Sequence, residues 1–376
     1  MLKYVTAFAV SLIFVSYSAF SEGFSIKQSQ YVCPPCPHVK DIFSSTRFEH
    51  DGKCLVCGMN LIEFHDKNAK ANPALNLHTG SGNFNFVTVK GINISVFYYQ
   101  PINFSPESKI LLVIPGAGRG AWEYRDNWLE HAEKYNVLIL SPSYSERDYD
   151  YAGYNLSGIL TSVTFSNFTT AEVAGRVNKY FVQDQDLLKG AATKAETWIF
   201  KDFDRIFEQV VNATHSAQQQ YDLFGHSAGG QILSRMAIFQ PKSKADRIIA
   251  ANAGSYTLPS VDYDFPNGLA NTEFRETSLD EIFSTKLTLL IGAQDNELET
   301  RGTLLHTPLL DQQGLGRLSR GKSFFSASKA QATKLHADFN WQLYIADGIG
   351  HESKKIAEVA AKLLYEKSGH ITKVDI

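Results

Sequence analysis

Cysteine is scarce in this 376-residue chain: there are four, and all fall between positions 33 and 57. No disulfide can staple the long remainder, whose fold must rest on its apolar core. A basic surplus is missing too. With a formal net charge of −3, the chain offers no electrostatic footprint for nucleic acid or for an anionic lipid surface. Beyond the first two dozen residues, no apolar run is long enough to span a bilayer. What the chain does have is 44% hydrophobic and 12% aromatic residues, enough to bury one large domain plus a small one.

The opening stretch, "MLKYVTAFAVSLIFVSYSAFSEG", places one Lys before an apolar run and small residues around Ala19 and Ser21. This is a signal-peptide pattern over residues 1–21, which implies a periplasmic or secreted protein with no membrane association after cleavage. The alternative is an uncleaved anchor, against which the Thr and Ser residues within the run count.

Residues 31–62 carry two CxxC pairs, Cys33 with Cys36 and Cys54 with Cys57. Each pair projects two sulfurs from one tight turn, so four thiolates can surround a tetrahedral ion such as zinc or another soft or heavy metal. Gly58 suits the turn after the second pair, whereas Pro34 and Pro35 remove amides from the first. In an oxidising compartment the alternative is two disulfides. The module resembles the small heavy-metal-binding domain of bacterial metal-efflux proteins at Tyr31, Cys33, Pro34, Pro37, Cys54, Cys57, Gly58 and Met59. It departs at Cys36, where that family has His. Residues 63–82 are polar, contain Pro73 and read as a linker to a domain over 83–370.

In that domain, "KILLVIPGAGRG", "NVLILSPSYS", "YDLFGHSAGGQ", "KLTLLIGAQDNE" and "NWQLYIADGIGH" are buried-strand runs separated by helical patterns. The alternation predicts an α/β fold, a doubly wound and mostly parallel sheet with helices on both faces, in which function gathers at the carboxyl ends of the strands. Residues 145–190 break the rhythm. They are rich in Tyr and Phe without clear periodicity, and read either as a cover for a site or as a packed surface excursion.

"GHSAG" places Ser227 between a short strand and a helix, with Gly225 and Gly229 permitting the sharp turn of a nucleophile elbow. A serine hydroxyl needs a histidine base and an orienting carboxylate. Asp295 and His351 each follow a buried strand, in the chain order this fold requires. Asp347 is a rival acid, and His131, His215, His306 and His336 lack the strand-end position. His226 reads as a packed elbow residue. The amide of Ala228 and that of Ala117 or Gly118 are candidate oxyanion donors. Arg119, in the same turn, reads either as a ligand for an acidic substrate group or as a surface ion-pair partner.

Residues 84–366, through "LLVIPGAGRGAWEYRDNW", "GHSAGGQILSRMAIF" and "RLSRGKSFF", resemble a branch of the α/β-hydrolase superfamily related to polyhydroxyalkanoate depolymerases and feruloyl esterases. The resemblance implies hydrolysis of a small-molecule or polymeric ester through an acyl-enzyme, with no cofactor for catalysis. Ser227 would be the nucleophile, His351 the general acid and base, and Asp295 its orienter. Pro115-Gly116 replaces the His-Gly found in many relatives. The alternative function is metal handling on a catalytically silent hydrolase scaffold.

Overall fold

The computed structural model describes residues 31–32, 62–63, 75–274, 279–366 and 373–374. The signal-peptide segment 1–21, the cysteines Cys33, Cys36, Cys54 and Cys57, and residues 64–74 of the linker lie outside the described residues. The strands flanking the cysteine segment are described. Tyr31–Val32 (β1) pairs antiparallel with Ile62–Glu63 (β2), so the two ends of that segment meet.

The next strands along the chain are Gly80–Val87 (β3), Asn93–Gln100 (β4), Lys109–Ile114 (β5) and Val137–Ser143 (β6). Residues 80–82, read as the end of the linker, are thus already strand. Four short strands follow: Val163–Phe165 (β7), Thr169–Val173 (β8), Arg176–Phe181 (β9) and Leu187–Lys189 (β10). Then come Tyr221–His226 (β11), Ala245–Ala251 (β12), Leu287–Gly292 (β13), Leu304–His306 (β14) and Gln342–Ala346 (β15). The helices are Ala121–Asp126 (α1), Leu129–Tyr135 (α2), Phe200–Thr214 (α3), Ala228–Phe239 (α4), Leu279–Phe283 (α5), Arg317–Lys334 (α6) and Ser353–Tyr365 (α7).

Eight strands form the main sheet in the order β15-β13-β12-β11-β5-β6-β4-β3. The six from β15 to β6 pair in parallel, and β4 runs antiparallel to both β6 and β3. Successive side chains of a strand face opposite sides. In β5, Ile110, Leu112 and Ile114 therefore enter one core, with Phe203 of α3, Leu233 of α4 and Phe324 of α6. Leu111 and Val113 enter the other, with Trp128 and with Ile356 and Ala360 of α7. Both faces are covered, which is why the run is apolar without alternation. Each such aliphatic side chain contributes about 2 kcal/mol by leaving water.

Because β5, β11, β13 and β15 are parallel, the turns that follow them emerge along one edge of the sheet. That edge carries residues 115–119, 227, 295 and 351.

The excursion over 145–190 packs, and it also reaches this edge. Its first part is buried through Tyr149, Tyr154 and Ile159. The second part pairs β7 with β10 and folds β8 and β9 into a hairpin, and β9 then pairs in parallel with the distant β14.

Candidate active site

Ser227 occupies φ 59° and ψ −117°, a conformation that side chains rarely adopt, between the end of β11 and the start of α4. Its amide donates to the Ala251 carbonyl of the neighbouring strand at 2.9 Å, and its own carbonyl accepts the first helical bond, from Gln231, at 3.0 Å. The glycine at 229 is dictated by contact. A Cβ there would strike the Ile114 carbonyl at the end of β5. Strand, turn and helix thus converge to leave the Ser227 hydroxyl partly exposed above the sheet.

His351 lies in the loop between β15 and α7 and is 9% exposed. Its Nδ1 is 2.7 Å from Asp295 Oδ2, and its Nε2 is 3.1 Å from Ser227 Oγ. A carboxylate only accepts, so the ring proton sits on Nδ1, and Nε2 is left to accept from the serine hydroxyl. The three residues chosen for their strand-end positions form one unbroken hydrogen-bonded chain. Asp347, the rival acid, points into solvent.

Asp295, three residues past β13, is fully buried. Burial raises its pKa, and Arg317 opposes that rise by charge and hydrogen bond. Arg317 Nη1 donates to Asp295 Oδ1 at 3.1 Å, while its Nη2 donates to the Thr303 carbonyl at 3.0 Å. The sequence did not single out Arg317. A buried arginine is rare, and only the start of a helix just downstream of the acid marked it.

Burial, then the Arg317 charge, pushes the His351 pKa well below 6.5, so the ring is neutral and ready to accept a proton at physiological pH. The His351 backbone amide donates to Glu299 Oε2 at 2.8 Å. Glu299 is in turn gripped by Arg301 Nε and Nη2 at 2.8 and 2.7 Å. Burial works to raise the Glu299 pKa, but the Arg301 hydrogen bonds prevail and hold it at about 2. The segment carrying these groups runs into β14, which ties the excursion to the histidine.

His226 is buried, with Nδ1 2.9 Å from the Tyr124 hydroxyl and its ring centre 4.5 Å from that of His351. Desolvation, then the nearby His351, keeps it neutral. It packs against the His351 ring. His306, the last residue of β14, has its Nδ1 2.9 Å from Asp311 Oδ1.

Ala228 begins α4, where the first amides have no helical acceptor. Ala117 and Gly118 are exposed in the turn after β5, and Gly116 of that turn packs against the Ser227 Cβ. Arg119 departs from the expected surface ion pair. Its guanidinium folds inward, stacked on Tyr154 at 3.8 Å and bonded to backbone carbonyls.

No family model matches the sequence, and no curated protein does. Solved structures do. Poly(aspartic acid) hydrolase-1 from Sphingomonas sp. KT-1 is 32% identical with a TM-score of 0.66, over 77% of this chain and 100% of that one. The chain belongs to the α/β-hydrolase superfamily. LpqC, a poly(3-hydroxybutyrate) depolymerase from Bordetella parapertussis, is 25% identical to this hydrolase with a TM-score of 0.65, over 77% of this chain and 91% of that one. The hydrolase is an enzyme of the serine type, among the carboxylic ester hydrolases. None of the described residues forms a helix long and apolar enough to cross a membrane.

Proposed function

We propose that Ser227, His351 and Asp295 hydrolyse a carboxylic ester through a covalent acyl-enzyme. Ser227 Oγ attacks the ester carbonyl while His351 Nε2 takes its proton. The carbonyl π electrons become an oxyanion, met by the amide of Ala228 and by that of Ala117 or Gly118. As the tetrahedral intermediate collapses, His351 returns the proton to the departing alcohol, and Asp295 steadies the imidazolium throughout. Water then repeats the sequence on the acyl-enzyme and frees the acid. The observation that carries this reading is the 3.1 Å contact of Ser227 Oγ with His351 Nε2, backed by the 2.7 Å contact to Asp295.

The substrate is a small or polymeric ester. The poly(3-hydroxybutyrate) of one relative is ester-linked, whereas the poly(aspartic acid) of the other is amide-linked. We assign this chain to the ester side, with the depolymerase. The N-terminal module binds zinc or another soft metal through Cys33, Cys36, Cys54 and Cys57 as an appendage, and residues 1–21 direct export to the periplasm or beyond. The pairing of β1 with β2 closes the base of such a module. A panel running from short acetates to feruloyl and hydroxyalkanoate esters, assayed with the parent and Ser227→Ala, tests the function. Turnover that vanishes in the variant supports it, and equal turnover refutes it.

A further inference from the structure

The turn that supplies the second oxyanion donor is Pro115-Gly116-Ala117-Gly118-Arg119, and two of its five residues are glycines with wide backbone freedom. Catalysis by an oxyanion hole requires donors fixed before the reaction begins. Resting on the acyl-transfer reading above, we propose that Arg119 and Tyr154 are positioning residues that together lock every peptide plane of this turn.

The planes can be followed one at a time, since the C=O and N–H of one peptide unit point in opposite directions. The Tyr154 hydroxyl donates to the Pro115 carbonyl at 2.7 Å, which sets the 115–116 plane. The Arg119 amide donates to the Gly116 carbonyl at 3.0 Å, which sets the 116–117 plane and hence the Ala117 N–H. Arg119 Nε donates to the Ala117 carbonyl at 3.1 Å, which sets the 117–118 plane and hence the Gly118 N–H. Both candidate donors are therefore aimed by Arg119, one through its backbone and one through its side chain.

The clamp is itself anchored. Arg119 Nη1 donates to the Tyr149 carbonyl at 2.9 Å and to that of Tyr144 at 3.3 Å, and its guanidinium lies 3.8 Å from the Tyr154 ring centre. The Tyr144 hydroxyl reaches Asp202 at 3.2 Å, and the Tyr149 hydroxyl reaches Thr88 at 2.8 Å. The buried start of the excursion thus acts as a rigid block against which the turn is held. Arg119 sits at φ 58°, a backbone conformation natural to glycine.

The test uses the full chain: parent, Arg119→Gly, Tyr154→Phe and a Ser227→Ala control, on p-nitrophenyl acetate. A trifluoromethyl ketone serves as the transition-state probe. Ser227 adds to its carbonyl, the π electrons become an oxyanion, and the hydroxyl proton passes to His351. Glycine relieves the backbone strain at 119, so Arg119→Gly removes the side-chain part of the clamp, which anchors the turn and aims the Gly118 amide, at the smallest risk to folding. The expected result is a kcat about 100-fold lower in Arg119→Gly and about 10-fold lower in Tyr154→Phe, with KM within about twofold of the parent and ketone affinity falling in step with kcat. A purely structural role predicts lost folded protein with the kcat of the remainder unchanged. Folded variants whose kcat and ketone affinity stay within about threefold of the parent overturn the proposal. If Arg119→Gly does not fold, Tyr154→Phe decides by the same criterion. Failure of the underlying reading looks different, because Ser227→Ala then keeps parental turnover.

Discussion

Arg317 and Asp295 form a buried ion pair behind the candidate catalytic histidine, with Nη1 3.1 Å from Oδ1 and side chains 2% and 0% exposed. The other oxygen of the carboxylate holds His351 Nδ1. One carboxylate therefore serves a cationic arginine and a neutral imidazole, and the arginine opposes any proton that the histidine takes up.

From this sharing follows a pH dependence. Activity needs neutral His351, whose pKa is driven below 6.5 by burial and then by Arg317. Protonation would charge a ring already facing Arg317, Arg301 and His226, with Asp295 and Glu299 as counterweights. The acid limb of kcat/KM in the parent is thus expected below pH 6.5. In Arg317→Met the charge is gone and the limb moves to higher pH, while Arg317→Lys stays near the parent. Folding stability falls in the Met variant by about 3 kcal/mol, the cost of breaking a buried pair. Profiles of kcat/KM against pH check the shift.

Gly302 tests the packing around the imidazole. Its φ is +68°, and a Cβ there would lie 2.6 Å from His351 Cδ2 and 2.8 Å from Nε2. Gly302→Ala is expected to displace the ring and lower kcat by at least about 10-fold, since misplacement of a reacting group by an ångström costs up to about 100-fold. Stability should drop by only about 1 kcal/mol, from the left-handed backbone. Steady-state kinetics alongside a thermal melt separate the two effects.

Asp202 tests the scaffold. It is fully buried, accepts from the Val89 amide at 2.7 Å, and has its pKa raised from 3.8 to about 6, chiefly by burial. A carboxyl with a raised folded pKa contributes stability that is complete below its unfolded value and is lost as pH rises through about 6. Asp202→Asn has no such loss. The stability of the variant relative to the parent should rise by about 2 to 3 kcal/mol between about pH 4 and about pH 7, read from urea midpoints.

Much of this arrangement is readable from the sequence, for definite reasons. Strands such as β5 and β13 are buried on both faces, so their runs are continuous and apolar, and the residues just past them stand out. Gly225 and Gly229 mark the elbow around Ser227 because close backbone contact at those two positions admits nothing larger. Other features are hidden. The strands β8 and β9 have exposed, mixed side chains and no apolar alternation, and β14, which completes their sheet, lies more than a hundred residues downstream. Arg119 and Arg317 look like surface residues, because their burial depends on partners that only the folded chain assembles.

The most direct measurement is to treat the folded protein with a fluorophosphonate and map the adduct by peptide mass spectrometry. The account predicts one adduct, on Ser227, forming in the parent, absent in Ser227→Ala and much slower in His351→Ala. A folded parent that carries no label on Ser227, or that labels equally fast without His351, contradicts it.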